Sequence, residues 1–155
     1  MLSNMKITFD AKKLARIAKQ RDLTFVILHG SAARGRVHPN SDVDVAVLGA
    51  APIDLTTQVR LAADLGAAFE GADARELDVK TLDRVDPLFR YEVVRNGQLL
   101  YGDPTAYEEF KAFAARAHDD ARPLFVLERL LSRKFQQHLN ALADRLQQKQ
   151  RPHAQ

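Results

Sequence analysis

Leu23-Thr24-Phe25-Val26-Ile27-Leu28-His29-Gly30-Ser31-Ala32-Ala33-Arg34-Gly35, followed after a short polar stretch by Ser41-Asp42-Val43-Asp44-Val45-Ala46-Val47-Leu48, is the segment from which the rest of the chain can be read. Residues 23–28 are nearly all apolar and rich in β-formers, the pattern of a strand covered on both faces, so this strand is expected at the centre of a sheet. Residues 43–48 are a second such run, and Gly35, Pro39 and Asn40 between them mark a loop or short helix. Side chains alternate along a strand, so Asp42 and Asp44 share one face while Val43, Val45 and Val47 share the other. Two neighbouring carboxylates in an apolar strand repel each other and are costly unless a cation lies between them. A hard divalent ion with oxygen ligands meets that demand, magnesium ahead of manganese.

One strand supplies only two ligands, so a third carboxylate is expected nearby. Asp78, which interrupts the Leu77, Val79 pattern of a later apolar run, is the candidate, with Glu76 as the fallback. Three acidic groups on adjacent strands can hold two metal ions, an arrangement that activates an attacking oxygen and stabilises a departing one. Gly30 lets the backbone approach a phosphate closely, and the amides after Ser31 would point at it if a helical turn begins there. The Ser31 hydroxyl can donate to distal phosphates, and Arg34, Arg36 and Lys80 can neutralise triphosphate charge.

Outward from this segment, Asp10 is expected to cap a helix through about Arg21, with Leu14, Ile17 and Ala18 on its apolar stripe. Residues 52–70 show helical spacing through Leu55, Val59, Ala62 or Ala63, and Leu65 or Gly66. Residues 77–82 suit a third strand. Asp86-Pro87 opens a helix that Gly97 stops, with Leu88, Tyr91 or Phe89, and Val94 as its apolar side. Gln98–Tyr101 reads as a short strand, Asp103-Pro104 opens a helix to about Ala117, and residues 122–148 carry a sustained helical stripe with basic flanks. The fold expected is α/β (α+β), a small mixed sheet flanked by helices with a C-terminal helical extension. Residues 1–103 would form the core, and 104–155 a helical segment packed on the core or on a partner.

The 155 residues are about one domain long, enough for one substantial core. With 46% hydrophobic and 28% charged residues the balance is that of a globular protein, and no apolar run approaches the roughly 18 residues of a membrane span. Residues 1–10 lack the pattern of a signal peptide, and the absence of cysteine excludes disulfides, thiolate zinc sites and cysteine nucleophiles, so a cytoplasmic location is expected. The net charge of +3 comes from residues 104–155, with 9 basic and 6 acidic side chains; residues 1–103 carry 14 of each. So mild an excess reads as a solvated helix face, and no direct nucleic-acid binding is expected. His29 reads as a packing or hydrogen-bonding residue and His38, in the loop, as solvent-facing, Tyr91 and Tyr101 as core residues, and Arg90 and Arg95 as surface or salt-bridge residues.

The string Gly30-Ser31-Ala32-Ala33-Arg34-Gly35 with Ser41-Asp42-Val43-Asp44-Val45-Ala46-Val47-Leu48 resembles the signature of polymerase β-like nucleotidyltransferases, spacing intact. Leu77-Asp78-Val79, Leu82, Asp83-Arg84 and residues 86–101 extend the resemblance to the minimal nucleotidyltransferase antitoxins of the MntA family, over about residues 23–101. Lys80-Thr81 departs from it, standing where an acidic or hydrophobic position would be expected. The resemblance implies the polymerase β-like fold, and Asp42, Asp44 and Asp78 as metal-binding, catalytic carboxylates for Mg2+, two ions, with Mn2+ as the alternative. It also implies that Gly30 and Ser31 hold the phosphates; Arg34 and Ser41 are further candidates for nucleotide binding. It implies ATP as substrate, transfer of AMP to tyrosine hydroxyls, and a HEPN-domain ribonuclease toxin of the HepT type, encoded nearby, as partner in a hetero-oligomeric complex. Two alternatives stay open: a nucleotidyltransferase for a small-molecule acceptor such as an antibiotic, and an antitoxin that only binds.

Overall fold

A computed structural model describes residues 7–35, 42–70 and 77–150. Thr8–Phe9 (β1) leads into Ala11–Gln20 (α1), where the Asp10 carboxylate accepts from the Lys13 amide at 2.9 Å and so satisfies one of the free N–H groups of the first turn. Leu14 and Ala18, four residues apart, are the buried stripe of this helix. Leu23–Leu28 (β2) and Val43–Gly49 (β3) are the two apolar strands, and Gly30–Ala33 (α2) is a single helical turn after the first of them.

Leu55–Gly66 (α3) is shorter than the helix expected over 52–70. Asp54 caps it, accepting from the Thr57 amide at 2.7 Å, and beyond its end Phe69–Glu70 (β4) pairs with β1 instead of extending the helix. Its buried residues are Leu61 and Leu65; Leu55 and Val59, expected on the apolar side, are exposed. Leu77–Thr81 (β5) follows, then Pro87–Asn96 (α4), whose Asp86 cap accepts from the Leu88 amide at 2.7 Å, and Gln98–Tyr101 (β6). In α4 the buried pair is Val93 and Val94, while Leu88 is exposed. Gly97 stops α4 as expected and is needed there, since a Cβ would meet the Val93 carbonyl oxygen at 2.5 Å and an Ile27 methyl at 2.6 Å.

The four-stranded sheet has the order β5-β3-β2-β6, mixed as expected. β2 lies antiparallel to both β3 and β6, whereas β3 and β5 are parallel, their crossover containing α3. Strand alternation then sorts the core into two layers. Val26, Leu28, Val43, Val45, Val47 and Val79 pack with Leu14, Ala18, Leu61 and Leu65 of α1 and α3. Phe25, Ile27 and Ala46 pack on the other face with Val93, Val94, Tyr107 and Ala114. Each fully buried leucine or isoleucine here contributes roughly 1.5–3 kcal/mol relative to exposure.

The chain divides into two compact units, Met1–His118 and Asp119–Gln155. One helix, Pro104–Gln150 (α5), replaces the two expected either side of residue 118, with Pro123 inside it. Its first turns supply Tyr107 and Ala114 to the core of the first unit. In the second unit the stripe from Leu124 to Leu146 is exposed. Among the described residues no helix is long and apolar enough to cross a membrane.

Candidate functional site

Where β2 ends and β3 begins, the backbone itself places the chemistry. The His29 amide donates to the Asp44 carbonyl at 3.0 Å, the last rung between the two strands, and Gly30 then turns the chain with φ +71° into α2. A Cβ on Gly30 would collide with the Asp44 carboxylate, so only glycine fits both the left-handed backbone and the close approach. Asp44 faces the layer shared with Ala46, away from Val43 and Val45.

In the parallel ladder between β3 and β5, Asp44 is the register partner of Asp78. Adjacent strands stand roughly 4.8 Å apart, so two half-buried carboxylates face the same way on neighbouring strands. Asp78 is held by Lys80, whose Nζ lies 3.1 Å from its Oδ2; both side chains are about half exposed, so the pair is solvent-screened. Asp42 precedes the first residue of β3 and is exposed. Among the described residues no three histidine or carboxylate side chains stand close enough to hold a metal ion. The donor chemistry of Asp44 and Asp78 fits a hard divalent cation. Lys80 currently supplies the positive charge at Asp78, and Asp42 lies one residue outside the strand that would fix it.

Phe89 of α4 closes over this corner. Its ring meets His29 edge-on at 5.7 Å between centroids, and Lys80 Nζ lies 5.7 Å from its centre. His29 is buried, and among the described residues its Nε2 finds no hydrogen-bond partner. Burial holds the imidazole below the ordinary histidine range; Lys80 adds to this, while Asp44 and Asp78 oppose it. Beside it a cavity of about 180 Å³ is lined by His29, Gly30, Arg34, Phe89, Glu92 and Asn96. A larger depression of about 430 Å³ lies between α1 and α3, where Arg21 is paired with Asp64, but it includes none of these groups.

The family model for Polymerase beta, Nucleotidyltransferase matches residues 12–105. The chain belongs to this nucleotidyltransferase family. Protein adenylyltransferase MntA of Shewanella oneidensis is 32% identical over 80 residues, an alignment that spans 52% of this chain and 55% of that relative. A solved toxin-antitoxin structure with AMP-PNP superposes with TM-score 0.63 at 25% identity, covering 79% of this chain and 98% of its own. A tri-AMPylated Shewanella oneidensis HEPN toxin in complex with MNT antitoxin gives TM-score 0.57 at 21% identity, covering 79% and 96%. The MntA-HepT structure gives 0.57 at 22%, covering 79% and 97%.

On this nucleotidyltransferase fold, the expected site residues fall into three groups. Gly30, Asp44 and Asp78 come together with Ser31 next to Gly30 in α2, while Asp42 is exposed one residue outside β3. Arg34 ends α2 exposed and lines the cavity. Ser41, Arg36, His38 and the fallback Glu76 lie outside the described residues. Phe89, Glu92 and Asn96 were not singled out as site residues from sequence; their spacing along α4, three and then four residues, was the signal that one helix face turns toward Gly30. Arg90, expected at the surface, instead donates to the carbonyl oxygens of Leu82 at 3.0 Å and Asp83 at 3.2 Å, tying α4 to the loop after β5.

Proposed function

We propose that this chain is a metal-dependent protein adenylyltransferase antitoxin, moving AMP from ATP to a tyrosine hydroxyl of a HEPN-domain ribonuclease toxin encoded nearby. The observation that carries the proposal is the Asp44–Asp78 register with Gly30 pressed against Asp44: phosphate-approach backbone and metal-type ligands meet at one corner. The similarity to MntA supplies the acceptor class and nucleotide.

In this reading the tyrosine oxygen attacks the α-phosphorus in line, the bond to the β-phosphate oxygen breaks, and pyrophosphate leaves. Asp42, Asp44 and Asp78 would hold Mg2+ or Mn2+, which when bound supplies the charge that offsets the triphosphate and the departing pyrophosphate. Gly30 admits the phosphates to the backbone, Ser31 donates its hydroxyl to them, and Arg34 and Ser41 complete their cradle. Lys80, 3.1 Å from Asp78, would add a positive charge near the phosphates. Asp78 would complete the site nearest the tyrosine and help accept its proton. The cytoplasm, where ATP and a ribonuclease toxin would both be met, is the compartment this activity requires.

Co-expression with the neighbouring toxin and intact-mass measurement of that toxin is the test. Whole AMP increments on the toxin, lost in Asp42→Ala, Asp44→Ala and Asp78→Ala, are expected; an unmodified toxin in the presence of ATP and Mg2+ rejects the reading. A second reading is an antitoxin that only binds, with Lys80 beside Asp78 offsetting part of that carboxylate's charge. It predicts that the three alanine variants still neutralise the toxin fully.

A further inference from the structure

The second unit takes no part in the corner described above, yet its helix is the most apolar exposed surface among the described residues. Leu124, Leu127, Leu131, Phe135, Leu139, Leu142 and Leu146 are each 42–66% exposed. At 100° per residue they fall within a band roughly 120° wide, the width of a face meant to be covered, while Val126 and Leu130 lie off it. A contiguous apolar surface of this size marks an interaction site.

The stripe is nearly symmetrical about Phe135. Leu131 and Leu139 stand four residues to either side, Leu124 and Leu146 eleven, and Leu142 at seven is answered by Leu127 at eight. Two antiparallel copies related by a two-fold axis need this pattern, because each offset on one helix meets the opposite offset on the other. Charge agrees with direction. Over residues 119–129 Asp119, Asp120 and Glu128 stand against Arg122 and Arg129, one net negative charge, and over residues 144–149 Arg145 and Lys149 stand against Asp144, one net positive charge. Antiparallel pairing brings these opposite ends together; parallel pairing would set like against like. Covering the exposed parts of the seven side chains removes about 700 Å² per copy, so about 1,400 Å² for a pair, within the roughly 1,200–2,000 Å² of specific interfaces. The solved chains from toxin-antitoxin structures are matched almost to their full length and still leave about a fifth of this chain without a counterpart.

We propose that the helix of the second unit is a homodimerisation arm, two copies of this chain pairing antiparallel through the stripe centred on Phe135. The pairing is independent of the transferase reading, and its test uses no activity. Sedimentation equilibrium of the full chain should show a dimer at micromolar concentration. Phe135→Asp, which sets two carboxylates face to face on the axis, should raise the dissociation constant about a hundredfold or more.

The chain has no cysteine, so single introduced ones report the geometry. Phe135→Cys should cross-link to itself on mild oxidation. Leu124→Cys should not self-link, but should link to Leu146→Cys when the two variants are mixed. A monomer at every concentration, a dimer indifferent to Phe135→Asp, or Leu124→Cys self-linking as readily as Phe135→Cys overturns the proposal.

Discussion

At the scale of single residues, Gly30 and Asp44 define each other. The glycine has a left-handed φ of +71°, and the space its missing Cβ would fill is occupied by the Asp44 carboxylate. Gly30→Ala therefore combines backbone strain of about 1–3 kcal/mol with displacement of the Asp44 carboxylate; urea unfolding should report the first and, on the proposed function, AMP transfer the second. Asp44→Asn keeps the shape and removes the charge, so transfer should fall by at least about a hundredfold with the unfolding midpoint unchanged. Lys80 gives a different expectation. Its pair with Asp78 is half exposed, so Lys80→Met should alter stability by less than about 1 kcal/mol. Mn2+ binding followed by calorimetry should tighten, because Asp78 no longer shares its charge; weaker binding would place Lys80 in a supporting rather than a competing role.

Among the elements, those with chemical punctuation were legible and those without it were not. Asp10, Asp86 and Asp103 each accept from a helix N-terminal amide, so the starts of α1, α4 and α5 are fixed by local hydrogen bonding that residue type alone implies, whereas the Asp54 cap that starts α3 at Leu55 rather than at residue 52 was not read from the chain. Asp86→Ala should cost about 1 kcal/mol, seen as a lowered denaturation midpoint, since it frees the Leu88 amide. The end of α3 had no such mark. Ala67 and Ala68 would continue a helix by propensity, and what stops it is the pairing of Phe69 and Glu70 with a strand some sixty residues earlier in the chain. The same long-range choice selected Leu61 and Leu65 over Leu55 and Val59 as its buried face. Leu65→Ala should accordingly cost about 2–5 kcal/mol, while Val59→Ala should change little.

For the whole molecule, the two-layered core of the first unit couples the sheet to the start of α5 through Tyr107. This phenol is buried, its hydroxyl faces the Val94 carbonyl at 3.4 Å, and its ring meets Phe25 edge-on. Burial, with Glu108 adding, pushes its pKa from 10.0 up to about 12. Because the folded state holds that proton more tightly than the unfolded chain, the contribution is complete below pH 10 and lost as pH rises from there toward 12. The difference in unfolding free energy between wild type and Tyr107→Phe should shrink over that alkaline interval and stay flat between pH 6 and 9; a flat difference throughout would show an unshifted phenol.

The four strands of the larger sheet, the capped starts of α1, α4 and α5 and the glycine turn could be read from the chain, because each follows from alternation, residue type and neighbours a few positions away; β1 and β4 could not. It took the folded chain to show that Asp42 falls just outside β3, that Asp44 and Asp78 stand in register, that Lys80 pairs with Asp78, that His29 is buried against Phe89 and that Arg90 ties down the loop after β5. These are settled by how strands pair and faces bury, and no local period in the chain encodes them.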